Sequence, residues 1–248
     1  MIDRATFERR RQSFGQAAEL YDRARPAYPR EAVVWMLGSQ PLRVVDLGAG
    51  TGIFSRELAA LGHDVTAVEP DTGMRRRLLA ASSGIEALAG SAESMPQADA
   101  SVDAVGAAQS FHWFDHDTAL AEIARVLVPG GIFAPIWNVR DESVDWVREL
   151  TSVLRAGTGV DAGVHARAGR DFGPRFELPE RAEFHHATSH TADSLVELIR
   201  SRSAYLDAGP DERAEMEQRV RALVAHLPQT FELPYVTVAF RARRPAGG

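Results

Sequence analysis

Apolar residues along this chain recur with two alternating periods. Short apolar runs, Arg43–Leu47, Asp64–Val68, Glu86–Ala89, Val102–Ala108 and Ile132–Trp137, read as buried strands. Between them lie segments with apolar residues at helical spacing. These are 52–61 with Ile53, Phe54, Leu58 and Leu61, 72–81 with Met74, Leu78 and Leu79, and 117–127 with Leu120, Ile123 and Leu127. Gly62 marks one helix end, and Pro129-Gly130-Gly131 stops the third helix ahead of strand five. Upstream, residues 3–22 are amphipathic, Pro26 and Pro29 break the chain, and a short helix over 30–37 carries Val33, Val34 and Leu37. After Asn138 the rhythm changes. A helix near 141–155 leads into a glycine- and arginine-rich stretch, and alternation resumes with a strand near 182–188. Helices over 194–205 and 211–227 follow, the latter striped by Met216, Val220, Leu223, Val224 and Leu227, and then a last strand at 235–240.

Strand and helix alternation of this kind predicts an α/β fold, a Rossmann-like doubly wound seven-stranded sheet, mostly parallel, with helices on both faces. The organisation expected is a single domain over 1–248. It carries an N-terminal lid segment at 1–30 and an insertion or cap at 139–181, long for a connection in a compact domain. In such sheets ligands sit outside the carboxyl ends of the strands.

The first two strands end on the informative residues. Val44-Val45-Asp46-Leu47-Gly48-Ala49-Gly50-Thr51-Gly52 places an acid and three glycines after strand one, and Glu69-Pro70 closes strand two. A dinucleotide fingerprint is G-x-G-x-x-G. Here the spacing is G-x-G-x-G, and Ile53 stands where the third dinucleotide glycine would be. An acid at position 46 would repel phosphates and suits a cation. S-adenosylmethionine (SAM) carries an ammonium group and a ribose diol that Glu69 can serve as acceptor. The bland alternative is a tight strand-to-helix turn with solvated acids at its rim.

Val44 to Gly52 resembles motif I of the class I SAM-dependent methyltransferases. The resemblance implies a last strand running antiparallel between strands five and six. It also implies a cofactor set: Asp46 near the ammonium, Gly48, Ala49, Gly50 and Thr51 along the methionine portion, Glu69 on the ribose, and Pro70 and Met74 beside the adenine. Gly90 to Pro96 resembles the family's adenine loop. Many members have an Asp where this chain has Ser91, which leaves the adenine contact to Ala92 and Glu93. Tyr21-x-x-x-Arg25-Pro26-x-Tyr28-Pro29, the strand-four end Gln109-Ser110-Phe111-His112-Trp113-Phe114, and Trp137-Asn138 are similar to the trans-aconitate methyltransferase-like subgroup of small-molecule enzymes. Tyr21 and Arg25 are then candidates for the SAM carboxylate, with a surface salt bridge as the plain alternative, and Gln109 joins the cofactor set.

Methyl transfer is an in-line displacement at a carbon already activated by a sulfonium, so the protein mainly orients the reactants and excludes water. No metal is expected. His112 reads as a general base, an orienting hydrogen-bond donor or a packed structural histidine. Phe111, Trp113 and Phe114 read equally as packing or as a wall of the acceptor pocket, with Trp113 the candidate wall. His185 and His186 read as structural. Arg167, Arg170 and Arg175 could meet an anionic acceptor, although charge runs are more often solvated.

Composition narrows the partner. The 248 residues carry a net charge of −6 and no cysteine. The charge argues against a broad nucleic-acid footprint, and the missing cysteines exclude disulfides and thiolate chemistry. The charged N-terminus does not read as a signal peptide, and no apolar run approaches the roughly 20 residues of a membrane helix. The expectation is a cytoplasmic enzyme that methylates a small molecule, at oxygen, with a carboxylate as one candidate acceptor. The rivals are an RNA or protein methyltransferase and a non-catalytic SAM-binding regulatory protein. Oligomeric state is left open.

Overall fold

The structure, a computed structural model, describes residues 18–155 and 171–246. The elements in chain order are α1 (Ala18–Ala24), α2 (Arg30–Leu37), β1 (Arg43–Leu47), α3 (Ile53–Ala60), β2 (Asp64–Val68), α4 (Thr72–Ala81), β3 (Glu86–Leu88) and β4 (Val102–Ala108). A short 3₁₀ turn, Phe111–Trp113, precedes α5 (His116–Val126) and β5 (Leu127–Arg140). Then follow α6 (Asp145–Arg155), β6 (Glu180–His190), α7 (Ala192–Arg200), α8 (Ser203–Asp207), α9 (Pro210–Val224) and β7 (Phe231–Arg243).

The seven strands form one sheet in the order β3-β2-β1-β4-β5-β7-β6. The β1–β2, β1–β4, β2–β3 and β4–β5 pairs are parallel. The last strand lies between β5 and β6 and runs antiparallel, as the resemblance implied. In register, Asp46 pairs with Ala67 on one side and Gly106 on the other. This brings the carboxyl ends of β1, β2 and β4 to one edge.

The chain divides into two compact units. One comprises 27–138, 171–184 and 237–246 among the described residues. Its core joins Val33 and Met36 of α2, Val44 of β1, Phe54 and Leu58 of α3, Leu78 of α4, Ala104 of β4 and Ile136 of β5. The other comprises 18–26, 139–155 and 185–236. Its core joins Val147 and Leu150 of α6, Leu195 and Ile199 of α7, Val220 and Val224 of α9, and Leu233 and Tyr235 of β7. Residues 1–17 of the expected lid and 156–170 of the expected cap, including Arg167 and Arg170, lie outside the described residues. Arg175 is described and exposed.

Besides a later start for α6 and longer β6 and β7, the structure differs from the sequence pattern in three places. β5 begins at Leu127, so Pro129-Gly130-Gly131 lies inside the strand rather than ahead of it. Gly130 N–H donates to the Arg244 carbonyl at 2.9 Å and Arg244 N–H to the Gly131 carbonyl at 2.8 Å, so pairing with β7's end holds the extension. Leu79, expected on the buried face of α4, is 53% exposed, because Met74 and Leu78 alone face the core. The single helix expected over 194–205 breaks at Ser201-Arg202. Ser201 Oγ donates back to the Leu198 carbonyl at 2.6 Å, and Arg202 turns extended (φ −89°, ψ 144°) to start α8.

Candidate active site

In the 27–138 unit, the loop after β1 is tied to β2 by its backbone. Gly48 and Ala49 N–H both donate to the Val68 carbonyl, at 2.8 and 3.2 Å. Gly48 has φ +69°, and a Cβ there would stand 2.8 Å from Ser110 Cβ. Ser110 Oγ in turn donates to the Leu47 carbonyl at 2.8 Å. The ends of β1 and β4 therefore close on a position where only glycine fits. Gly50, at φ +57°, is the opposite case: a Cβ there would meet nothing within 4 Å. The loop is locked below and open above.

Two carboxylates flank that opening. Asp46 is fully buried. Its Oδ2 accepts a 2.5 Å hydrogen bond from Ser55 Oγ, and its Oδ1 is enclosed with no hydrogen-bond partner. Burial pushes the Asp46 carboxyl up to about 7, against the pull of the Ser55 hydrogen bond and with a further push from the Glu69 charge. Thr51 Oγ1, one turn further on, is likewise enclosed and unpartnered. Glu69 accepts from Gly50 N–H at 2.9 Å and from Asp71 N–H at 2.8 Å, one bond to each carboxylate oxygen. Arg75 Nη1 braces this corner through the Glu69 and Pro70 carbonyls at 2.6 and 2.7 Å, and Asp71 caps α4 at Met74 N–H. Met74 is buried.

Beyond β3, Ser91 and Ser94 pair through both backbone amides, which makes the loop a tight turn with Ala92 buried inside it. Glu93 accepts from the Asp115 N–H at 3.1 Å. Its carboxylate thus helps set the start of α5.

At the end of β4, Gln109 adopts φ +56°, a left-handed conformation that a non-glycine residue holds only when its surroundings enforce it. Its amide N–H donates to the Ile136 carbonyl and its Nε2 to the Asn138 carbonyl, both at 2.9 Å. Asn138 is held by donation to the Ala27 carbonyl and by accepting from Thr237 Oγ1 at 2.6 Å. Phe111 is a core residue, in edge contact with Phe114, Phe133 and Phe172 and stacked on His116 at 4.4 Å. His112 instead presents Nδ1 to the indole N–H of Trp137 at 3.2 Å, with Trp113 packed against it at 4.8 Å between ring centroids. An indole nitrogen only donates, so Nδ1 is the acceptor and the neutral ring carries its proton on Nε2.

The expected residues Asp46, Gly48, Ala49, Gly50, Thr51, Glu69 and Gln109 meet at the carboxyl ends of β1, β2 and β4. Tyr21 and Arg25 belong to the other unit. There Arg25 donates to Ser201 Oγ at 3.0 Å and to its carbonyl at 2.9 Å, with its guanidinium 4.5 Å from the centre of the Tyr21 ring. Sequence reasoning passed over Ser55 and Ser110. Ser55 interrupts the apolar face of α3 between Phe54 and Leu58, which was its only signal.

A methyltransferase domain model matches residues 45–134, the stretch that holds this glycine loop and both carboxylates. An uncharacterized methyltransferase of Mycobacterium tuberculosis is 41% identical, over 93% of this chain and 95% of that protein. The chain belongs to the class I SAM-dependent methyltransferases. A solved methyltransferase relative, described as type II, from Anaeromyxobacter dehalogenans, superposes with a TM-score of 0.65 at 26% identity, covering 90% of this chain and 99% of that one. The malonyl-[acyl-carrier protein] O-methyltransferase of Methylococcus capsulatus is 40% identical over 49% of this chain and 48% of its own length. The methyltransferase's cofactor is SAM. The residues at the strand ends fit that group. An enclosed carboxylate oxygen without a donor suits an ammonium, and open space above Gly50 suits close backbone approach. Among the described residues no helix is long and apolar enough to cross a membrane.

Proposed function

We propose that this methyltransferase O-methylates a small organic acid on its carboxylate. The carrying observation is the Trp137–His112 hydrogen bond. A general base at His112 would need a lone pair facing the acceptor. With Nδ1 accepting from Trp137, the remaining nitrogen bears the proton, so His112 acts as a donor that orients an oxygen. A carboxylate suits such a site because it is already nucleophilic and has no proton to lose. The half-length similarity to a malonyl-[acyl-carrier protein] O-methyltransferase supports oxygen as the methylated atom. Trp113, packed on His112, would wall the acceptor.

When bound, SAM supplies a methyl group made electrophilic by its sulfonium. Asp46 Oδ1 would accept from the ammonium, Glu69 from the ribose hydroxyls, and the Gly48–Thr51 backbone would line the methionine portion. Pro70, Met74 and the Ser91–Glu93 turn would border the adenine, and Gln109, held in its strained conformation, would fix the strand-four end. We also infer a relationship to the trans-aconitate methyltransferase-like subgroup, from the Gln109–Phe114 and Trp137-Asn138 segments, and a cytoplasmic setting, from the absence of cysteine.

The test is incubation with methyl-labelled SAM and a soluble cell extract, followed by separation of small molecules, RNA and protein. Label in small acids, released as volatile methanol by mild alkali, is the expected result, because methyl esters are alkali-labile. Alkali-stable label, or label in RNA or protein, would overturn the reading.

A further inference from the structure

Within the 27–138 unit, Asp46 is gripped by the helix that follows the glycine loop. In register it stands opposite Gly106 of β4. A Cβ on Gly106 would lie 2.6 Å from Phe54 Cε1, so the ring from α3 rests directly on that glycine. Gly52, just ahead of α3, has φ +82°, and a Cβ there would lie 2.6 Å from Leu78 Cγ of α4. These two close approaches fix α3 on the sheet, and the residue after Phe54 is Ser55. It is fully buried in the first turn of α3, and its Oγ donates to Asp46 Oδ2 at 2.5 Å.

A helical serine that needs only a partner has one at hand in the carbonyl four residues back. For Ser55 that is the Thr51 carbonyl, which accepts from Arg56 Nη1 at 3.0 Å. Ser55 gives its one hydroxyl proton to Asp46 instead. The bond engages Oδ2 and leaves Oδ1 enclosed without a partner, so the carboxylate has a set orientation and one oxygen to offer. The charge acting on Asp46 from the end of β2 is Glu69, which repels it. β4 places uncharged Val105 and Gly106 beside Val45 and Asp46. On α3, Arg56 reaches the Thr51 carbonyl and Ser82, and Glu57 lies under the charge of Arg56. From α4, Arg75 reaches the Glu69 and Pro70 carbonyls. Burial pushes the Asp46 carboxyl up, and the Ser55 hydrogen bond is the strongest pull against it.

We propose that Ser55 is a positioning residue for the cofactor: its hydroxyl turns Asp46 so that Oδ1 meets the ammonium of SAM, and it favours the carboxylate over the carboxylic acid. This rests on the reading of Asp46 as the ammonium's acceptor. Loss of the hydroxyl then weakens cofactor binding in a pH-dependent way, which a loss of packing does not.

Calorimetry with S-adenosylhomocysteine (SAH) between about pH 6 and about pH 8.5 tests this on the whole chain, comparing the parent with Ser55→Ala, Ser55→Cys and Asp46→Asn. Each variant is first checked for an unchanged circular dichroism spectrum. Cysteine fills the space of serine, but its thiol is a weak donor, so it separates the hydrogen bond from packing. Parent affinity should rise with pH and level off above about 7, as the Asp46 carboxyl ionises. Both Ser55 variants should level off about one to two pH units higher, the worth of a hydrogen bond to a charged group. At pH 6 this makes their binding about 10- to 100-fold weaker than the parent's, with most of the loss recovered by pH 8.5. Asp46→Asn should bind weakly across the range. Ser55 variants that keep the parent's profile, or weaken binding equally at every pH, overturn the proposal while a weak Asp46→Asn leaves the ammonium reading standing. A loss in Ser55→Ala that Ser55→Cys restores also overturns it, because packing then accounts for the effect. An Asp46→Asn protein that binds SAH as the parent does removes the ammonium reading itself, and the role of Ser55 with it.

Discussion

Replacing Asp46 by Asn separates what this carboxylate does for the cofactor from what it does to the fold. Asp46 is fully buried, with one oxygen bonded to Ser55 and the other unpartnered, and its carboxyl is pushed from 3.8 up to about 7. A carboxyl with a folded-state pKa above its unfolded one keeps its proton in the folded state while the unfolded chain has released it. The folded protein therefore loses stability as pH rises from about 4 to about 7, and the cost is complete above that. At ~1.36 kcal/mol per pH unit the cost at pH 8 is on the order of 4 kcal/mol, and at pH 5 it is on the order of 1.7 kcal/mol. Asn at this position carries no such pH dependence. It can still accept from Ser55, but it places an amide NH₂ where Oδ1 has no partner, at about 1–3 kcal/mol. The stability of Asp46→Asn relative to the parent should thus rise by about 2.5 kcal/mol between pH 5 and pH 8. Urea denaturation of cofactor-stripped protein at both pH values measures it. In the same variant SAH affinity should fall by about 10- to 100-fold, the worth of a charged hydrogen bond. A stability difference that is the same at both pH values would refute the burial argument, and unchanged SAH affinity would remove Asp46 from the site.

Gly48→Ala combines a positive φ with a Cβ 2.8 Å from Ser110 Cβ, so it should lower stability by about 2–4 kcal/mol in urea denaturation. Gly50→Ala has open space at its Cβ and carries only the backbone strain, so it should cost less stability while still reducing cofactor affinity. Trp137→Phe removes the donor to His112 Nδ1 and frees the imidazole to change tautomer. With an acid acceptor it should lower kcat more than it changes the cofactor KM, and His112→Asn, which keeps a donor, should retain more activity than His112→Phe. Equal loss in both His112 variants would count against the orienting role.

Elements fixed by local signals were legible in the sequence. β1, β2 and α4 run over the expected residues because an apolar run, a glycine or a capping Asp71 marks each end. The departures came from partners distant in the chain. β5 is extended by pairing with the Arg244 backbone, and α7 stops at Ser201 through a side-chain bond to Leu198. Asp46 and Glu69 could be picked out because the glycine loop specifies what flanks it. Their present partners, Ser55 and the Gly50 and Asp71 amides, depend on backbone directions that spacing does not encode. The Arg25–Ser201 pairing was the least legible part. Arg25 and Ser201 are 176 positions apart, and nothing in either segment announces the other.

The cofactor site is the foundation of the account, and titration of SAH into the parent protein and into Glu69→Ala tests it most directly. Saturable one-to-one binding that weakens about 100-fold or more in the variant is the predicted result, since Glu69 is both the proposed ribose acceptor and the brace on Gly50. Binding of equal strength in the two proteins would contradict the assignment of the β1–β2 carboxyl ends as the place where the methyl donor is held.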